Sequence, residues 1–160
     1  KKPGFLGIEF ETRRIVFVID AHDREVLAWH AVAGAGVSGS MVRDLLLQAV
    51  ELRFATIQAP HAVEWLSDNG SPFTAKETLD FAAALGLVPC FTPVHSPESN
   101  GIAEAFVKTF KRDYARIHPL PDAAAVLRQI ARWFDDYNES HPHSGLGMIS
   151  PREFIRAQAT

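Results

Sequence analysis

Residues 65–73 read WLSDNGSPF and, after a helix-sized interval, residues 95–114 read HSPESNGIAEAFVKTFKRDY. The first stretch closes the apolar run 61–67, and a buried strand ending there delivers Asp68 to the edge of a sheet. The second opens an amphipathic helix with Glu104 at its head. Residues 69–103, 35 in all, separate the two carboxylates. An Asp on a strand tip and a Glu on a helix, brought together by the fold, can share a divalent cation. Mg²⁺ takes hard oxygen ligands, usually one or two carboxylates, and leaves its other positions to water and phosphate. Phosphoryl transfer by two ions about 3.5–4 Å apart needs such a cage and little other protein chemistry. The same residue types admit a plainer account. Asn69-Gly70 is an ordinary turn because both residues accept φ > 0, and the helix dipole alone favours a Glu in a first turn.

Outward from this stretch, hydrophobic periodicity sets the remaining elements. Phe5–Phe10 and Arg14–Asp20 are rich in β-branched and aromatic residues and form a hairpin. If its turn lies at 11–12, residue i pairs with about 23 − i. Val26–Ala33 is a third strand, ended by glycines at 34, 36 and 39. A helix from about Ser40 to Phe54 places Met41, Leu45, Ala49 and Leu52 on one face. The fourth strand covers 61–67. Thr74 with Glu77 forms a capping box for a helix to about Leu85, and Leu87–Phe91 is a short fifth strand. From Thr92 to Gly101 the Pro, Ser, Asn and Gly content marks a loop.

The next helix runs from 101 to about 116. Ile102, Ala103, Phe106, Val107, Phe110 and Tyr114 share one face, while Glu104, Lys108 and Lys111 recur at i, i+4 and i+7 on another. Pro119 and Pro121 interrupt the chain, Asp122 caps a helix to about Asn138, and Ser150-Pro151-Arg152-Glu153 is a capping box with Pro at the first helical position. Strands first, helices after and one βαβ crossing predict an α/β protein with five strands of mixed direction.

With 160 residues, 47% of them hydrophobic, the chain is expected to be one domain, 1–160, with a sizeable core. No apolar run reaches the ~20 residues of a membrane span. A single cysteine, Cys90, rules out an internal disulfide and any Cys-based zinc cluster, and the setting expected by default is cytoplasmic. The net charge of −3 is not that of a free-standing DNA-binding protein. If DNA is the partner, metal ions and local basic patches must supply the attraction.

Taken together, WLSDNGSPFTA, the 35-residue interval, SPESNGIAEAFVKTFKRDY and the later DDYNESHPHSGLGMISPREF resemble the catalytic core of bacterial insertion-sequence transposases of the retroviral-integrase type. The resemblance covers roughly residue 14 to the end. It implies a ribonuclease H-like fold, an α/β five-stranded mixed sheet flanked by helices. It also implies metal-dependent DNA strand cleavage and strand transfer with Mg²⁺ or Mn²⁺ and no small-molecule cofactor. DNA, as element ends and target, is the implied partner, with a homodimer as the expected assembly and no membrane; the net charge suggests in addition that a DNA-recognition domain lies outside this core.

Carried over residue by residue, Asp68 and Glu104 are the second and third members of an acidic triad. Asn100 lies where the family's loop meets DNA, or else simply caps the helix. Lys108 and Lys111, flanked by Arg112 and Arg116, follow a phosphate backbone toward the metal; the plainer account is a Glu104–Lys108 ion pair worth ~0.3–0.5 kcal/mol. His141 and His143 fall in a segment that resembles a structural turn, and their metal signal is weak. The first Asp is the departure. Its place before a Gly-Phe pair is taken by Lys2-Pro3 ahead of Gly4-Phe5, and no Asp occurs before Asp20. The hairpin would set Asp20 opposite Pro3, which makes it the candidate third ligand. The alternative is a degenerate core that keeps the fold, dimerises and binds DNA without reacting.

Overall fold

Strand-favouring residues fill β1 (Gly4–Phe10), β2 (Arg13–Ile19) and β3 (Val26–Ala33), which form an antiparallel meander in the computed structural model of the chain. The structure describes residues 4–10, 13–33, 36–67, 69–91, 101–115 and 122–160. Gly4 pairs with Ile19 and Phe10 with Arg13, the register expected from a turn at 11–12. Two further strands, β4 (Val63–Ser67) and β5 (Leu87–Phe91), pair in parallel. The strand order is β3-β2-β1-β4-β5. The antiparallel and parallel parts meet at one register pair, Gly4 with Leu66, so the start of β1 lies beside the end of β4.

Helix α1 (Gly39–Phe54) connects β3 to β4, with Ser38 accepting from the Met41 N–H as its cap. Its buried face is Val42, Leu45, Leu46, Ala49 and Val50. Leu52, expected on that face, is 59% exposed, because the covered stripe lies on the i, i+3, i+4, i+7, i+8 positions starting at Val42. Between β4 and β5 the expected single helix is two: α2 (Ser71–Thr74) and α3 (Lys76–Ala84). Pro72, favoured in a first helical turn, starts the earlier helix, so Thr74 becomes its last residue. The Thr74 hydroxyl donates back to the Gly70 carbonyl rather than capping α3.

Helix α4 (Gly101–Phe110) continues as a π-helical turn, Lys111–Ala115. Helices α5 (Ala123–Ser140) and α6 (Pro151–Gln158) carry the expected caps: the Asp122 carboxylate accepts from the Ala125 N–H, and Ser150 with Glu153 forms the full capping box. His143–Leu146 forms the turn between them, closed by a bridge from His143 to Ile149.

Strand alternation splits the core in two. Val16 and Val18 point to α1 and α3, whereas Ile15, Phe17 and Ile19 point to α4 and α5. Trp65 and Trp133 are buried and Trp29 is partly so, stacked edge-on against Phe134. On the outer strand β3, the buried Asn138 amide accepts from the Val26 N–H and donates to the Val26 carbonyl, at 2.8 and 3.0 Å. It stands in for one rung of a missing neighbour strand. No helix among the described residues is long and apolar enough to cross a membrane.

Candidate active site

The sheet brings its chemistry to one end. Strand β4 stops at the buried Ser67, one residue before Asp68, which lies outside the described residues, as does Asn100. Asn69 and Gly70 follow, and Gly70 is the cap residue of α2. The neighbouring strand begins here with Gly4 against Leu66 and Ile19. Ile19 in turn shares a pocket with Gly101 and Ile102 at the start of α4. The first turns of α4 therefore lie at the sheet end where β4 stops.

α4 is fixed there by its apolar face. Ala103, Phe106 and Phe110 are buried against β2 and α5, with the Phe106 ring 4.7 Å from Phe17 and 4.8 Å from Tyr137. That packing turns Glu104 and Lys108 outward, both exposed, with Lys111 half-buried on the same side. The i,i+4 ion pair between Glu104 and Lys108 does not form, and neither group has an ion-pair partner among the described residues. Arg112 differs: its guanidinium is held by Asp113, with Nη2 2.7 Å from Oδ2. That carboxylate neutralises the charge expected to meet DNA and is itself held below the usual Asp range by Arg112.

The structure places Asp20, the expected third ligand, among other partners. Parity decides it: position 20 continues the Val16–Val18 face, opposite the face that carries α4. Asp20 is 3% exposed. One carboxylate oxygen accepts from the His22 N–H at 2.8 Å and the other lies 3.4 Å from Arg53 Nη2. Asp23 and Glu25 close on the same guanidinium at 3.0 and 3.1 Å, and Arg152 of α6 reaches Glu25 at 3.2 Å. Among the described residues no three His, Cys, Asp or Glu side chains form a metal-holding group. Sequence reasoning missed Arg53 entirely. Its partners come from a turn some 30 residues away, and nothing in its helical position marks it.

The pattern of the integrase core domain matches residues 6–97 and again residues 85–151. An uncharacterized protein of insertion element IS136 from Agrobacterium fabrum is 62% identical over 158 residues, covering 96% of this chain and 81% of that protein. The InsD transposase of insertion element IS2A/D/F/H/I/K from Escherichia coli is 51% identical over 158 residues, and the match spans 52% of its length. A putative InsD transposase of element IS2E from Escherichia coli K12 is also 51% identical, with 72% of its length covered. In fold, the chain is similar to the catalytic core domain of BIV integrase, with a TM-score of 0.72 at 16% identity, covering 99% of this chain and 95% of that one.

Proposed function

Because this chain belongs to the integrase core domain family, we propose that it is the catalytic core of an insertion-element transposase, a single ribonuclease H-like domain that cuts a DNA strand and joins a 3′-hydroxyl to a second phosphodiester. The observation that carries this reading is Glu104. It is an exposed carboxylate with no ion-pair partner among the described residues, on the helix that begins at the sheet end where β4 stops one residue short of Asp68.

Asp68 and Glu104 are the hard oxygen donors that would hold Mg²⁺ or Mn²⁺, a donor set those ions accept. Such an ion, when bound, supplies Lewis acidity at a phosphoryl oxygen and lowers the pKa of the attacking hydroxyl. Lys108 and Lys111 bind backbone phosphates beside Glu104 and hold the strand against it. By the same reading the partners are DNA and a second copy of the chain, and the setting is the bacterial cytoplasm.

A non-reacting core that only binds DNA is the second reading, and the pairing of Asp20, the candidate substitute for the missing first Asp, with Arg53 supports it. Calorimetric titration with Mn²⁺ decides between them. The parent chain is expected to bind, and Asp68→Asn and Glu104→Gln each to bind more weakly by at least the roughly tenfold that even an outer-shell change costs. A parent chain that takes up no Mn²⁺ at millimolar concentration would sink the cleavage reading and leave the second.

The lysines have their own readout. Lys108→Ala and Lys111→Ala are each expected to weaken duplex binding irrespective of sequence and to reduce the slope of log K against log salt by about 0.9. A slope unchanged in both would take the strand off this helix.

A further inference from the structure

Beside the Glu104–Lys108 stripe, α4 turns a second stripe toward a pocket of about 290 Å³. Gly101, Ala105 and Thr109, at i, i+4 and i+8, form one wall. The α5–α6 turn and Arg24 from the β2–β3 turn also line it. Among the described residues no Asp or Glu does. Its one histidine, His143, is neutral at pH 7, because burial and then the neighbouring His141 and Arg24 push the imidazole down to about 4. In a chain of net charge −3, the formal charge of this pocket is therefore a single guanidinium.

Arg24 is presented in an unusual way. It sits at φ 66°, in the left-handed region that non-glycine residues seldom occupy. Its Nη1 donates to the Ala21 carbonyl, the one hydrogen bond it makes among the described residues. A guanidinium carries five N–H donors, so most of its capacity is unused. No carboxylate among the described residues pairs with it, although Asp20, Asp23 and Glu25 surround it in sequence and all turn to Arg53 instead. Its Nη2 reaches the α5–α6 turn, 3.9 Å from where a side chain at Gly145 would begin. A half-buried cation with neither counter-ion nor full hydrogen bonding is costly to hold, and an anion arriving from outside relieves that cost.

The position of the pocket selects the anion. Its wall on α4 ends at Thr109, next in sequence to Lys108. From Gly101 to Thr109 that wall rises about 12 Å, a length over which one strand of duplex DNA carries roughly three to four phosphates. A backbone held by Lys108 and Lys111 thus has further phosphates within reach of the neighbouring stripe. Guanidinium groups match phosphate geometry, and the Thr109 and Ser144 hydroxyls on the wall are donors for its remaining oxygens. Resting on the reading that this chain acts on DNA, we propose that the pocket seats one backbone phosphate of the duplex held on α4, bound by Arg24 with Thr109 and Ser144. The strand then crosses α4 from the lysine stripe to the α5–α6 turn instead of running along the lysines alone. Such a contact fixes the register and angle of the duplex and carries no sequence information.

Two substitutions test this without touching the carboxylates or lysines. Arg24→Gln removes the charge and keeps an unbranched side chain at the same φ, so the backbone cost of the position is unchanged. Gly145→Asp supplies the missing carboxylate from a position where an added Cβ meets only the Arg24 side chain, at ordinary contact distance. Fluorescence anisotropy on the intact chain, in Ca²⁺ buffer, follows a duplex across a salt series and then duplexes carrying one neutral methylphosphonate at successive positions. Each variant is expected to bind roughly tenfold more weakly at low salt, the scale of one hydrogen bond to a charged group. Each is also expected to lower the slope of log K against log salt by about 0.9 and to keep the parent's thermal midpoint. One methylphosphonate position, distinct from those that Lys108→Ala and Lys111→Ala make insensitive, is expected to weaken the parent and leave both variants unaffected. A purely structural role for Arg24 would not move that position. A slope unchanged in both variants, or a methylphosphonate pattern that neither alters, overturns the pocket assignment and leaves the proposed function intact. A parent midpoint raised by millimolar inorganic phosphate, with the DNA slope unchanged in the variants, assigns the pocket to a free anion and overturns the DNA contact likewise. A chain that binds no duplex overturns the proposed function, and this inference with it.

Discussion

Arg53→Ala is expected to cost about 3–5 kcal/mol at pH 7, the usual penalty for removing the counter-charge from buried carboxylates. For a chain of 160 residues that is a fall in melting midpoint on the order of 10 °C. The Arg53 side chain is 14% exposed and faces Asp20, Asp23 and Glu25 together. Without it three carboxylates crowd one turn, Asp20 and Asp23 held only by backbone N–H groups and Glu25 only by Arg152. Acid should relieve this. Burial and then the neighbouring Asp20 already raise the Asp23 carboxyl above its ordinary 3.8, while Arg53 pulls it down, so the substitution raises it further. A carboxyl with a folded pKa above its unfolded one contributes stability that is full below the unfolded value and is lost as pH rises through the folded one. The deficit of Arg53→Ala relative to the parent is therefore expected to shrink as pH falls from 7 toward about 4. Urea melts of both chains at pH 7 and pH 5 measure this. A deficit that stays constant with pH would mean that packing, not charge, is what Arg53 contributes.

Phe106→Ala should be about as damaging, with an expected loss of about 3–5 kcal/mol. Phe106 is 2% exposed and is the hub of the aromatic layer under α4. Its ring contacts Phe17 and Tyr137 and lies 5.6 and 5.9 Å from Phe110 and Phe134, tilted and edge-on geometries that add to simple burial. Because α4 rests on this residue, loosening it also frees Glu104, so Mn²⁺ affinity is expected to fall with stability. Phe106→Leu, which keeps an apolar filler, should restore most of both. Chemical denaturation followed by the fluorescence of Trp133, which packs on Phe110, reports the first quantity. A loss below about 1 kcal/mol would show that the layer refills without the ring.

These effects also mark where the sequence could be read and where it could not. Local rules held wherever one signal acted alone. Val26–Ala33 and Leu87–Phe91 are strands at their expected bounds, the hairpin register follows from its turn, and Asp122 and Ser150 cap the helices they precede. They failed where two signals competed, as when Pro72 opened a helix before Thr74 could cap one. Glu104 was singled out in the sequence because it stands at the head of an amphipathic helix, 35 residues beyond Asp68. Asp20 was read from its register opposite Pro3, and strand alternation gives parity but does not say which face α4 will cover. The Arg53 cluster draws on a helix C-terminus, a turn and α6, and no spacing rule joins three such segments.

The clamp of Asn138 on Val26 joins residues 112 positions apart, and this bears on how the chain folds as it leaves the ribosome. The α1 side of the sheet can close once β5 has emerged, since β2, β3, α1, β4 and α3 supply it. The other side waits for α4 and α5. Until α4 and then residue 138 are synthesised, Ile15, Phe17 and Ile19 present an incompletely covered apolar face and β3 an unguarded edge, the combination through which nascent sheet proteins associate with one another. At 5–20 residues per second, a general rate for synthesis, the interval between Phe91 and Asn138 is about 2–10 s. For that time one face of the sheet lacks its full cover.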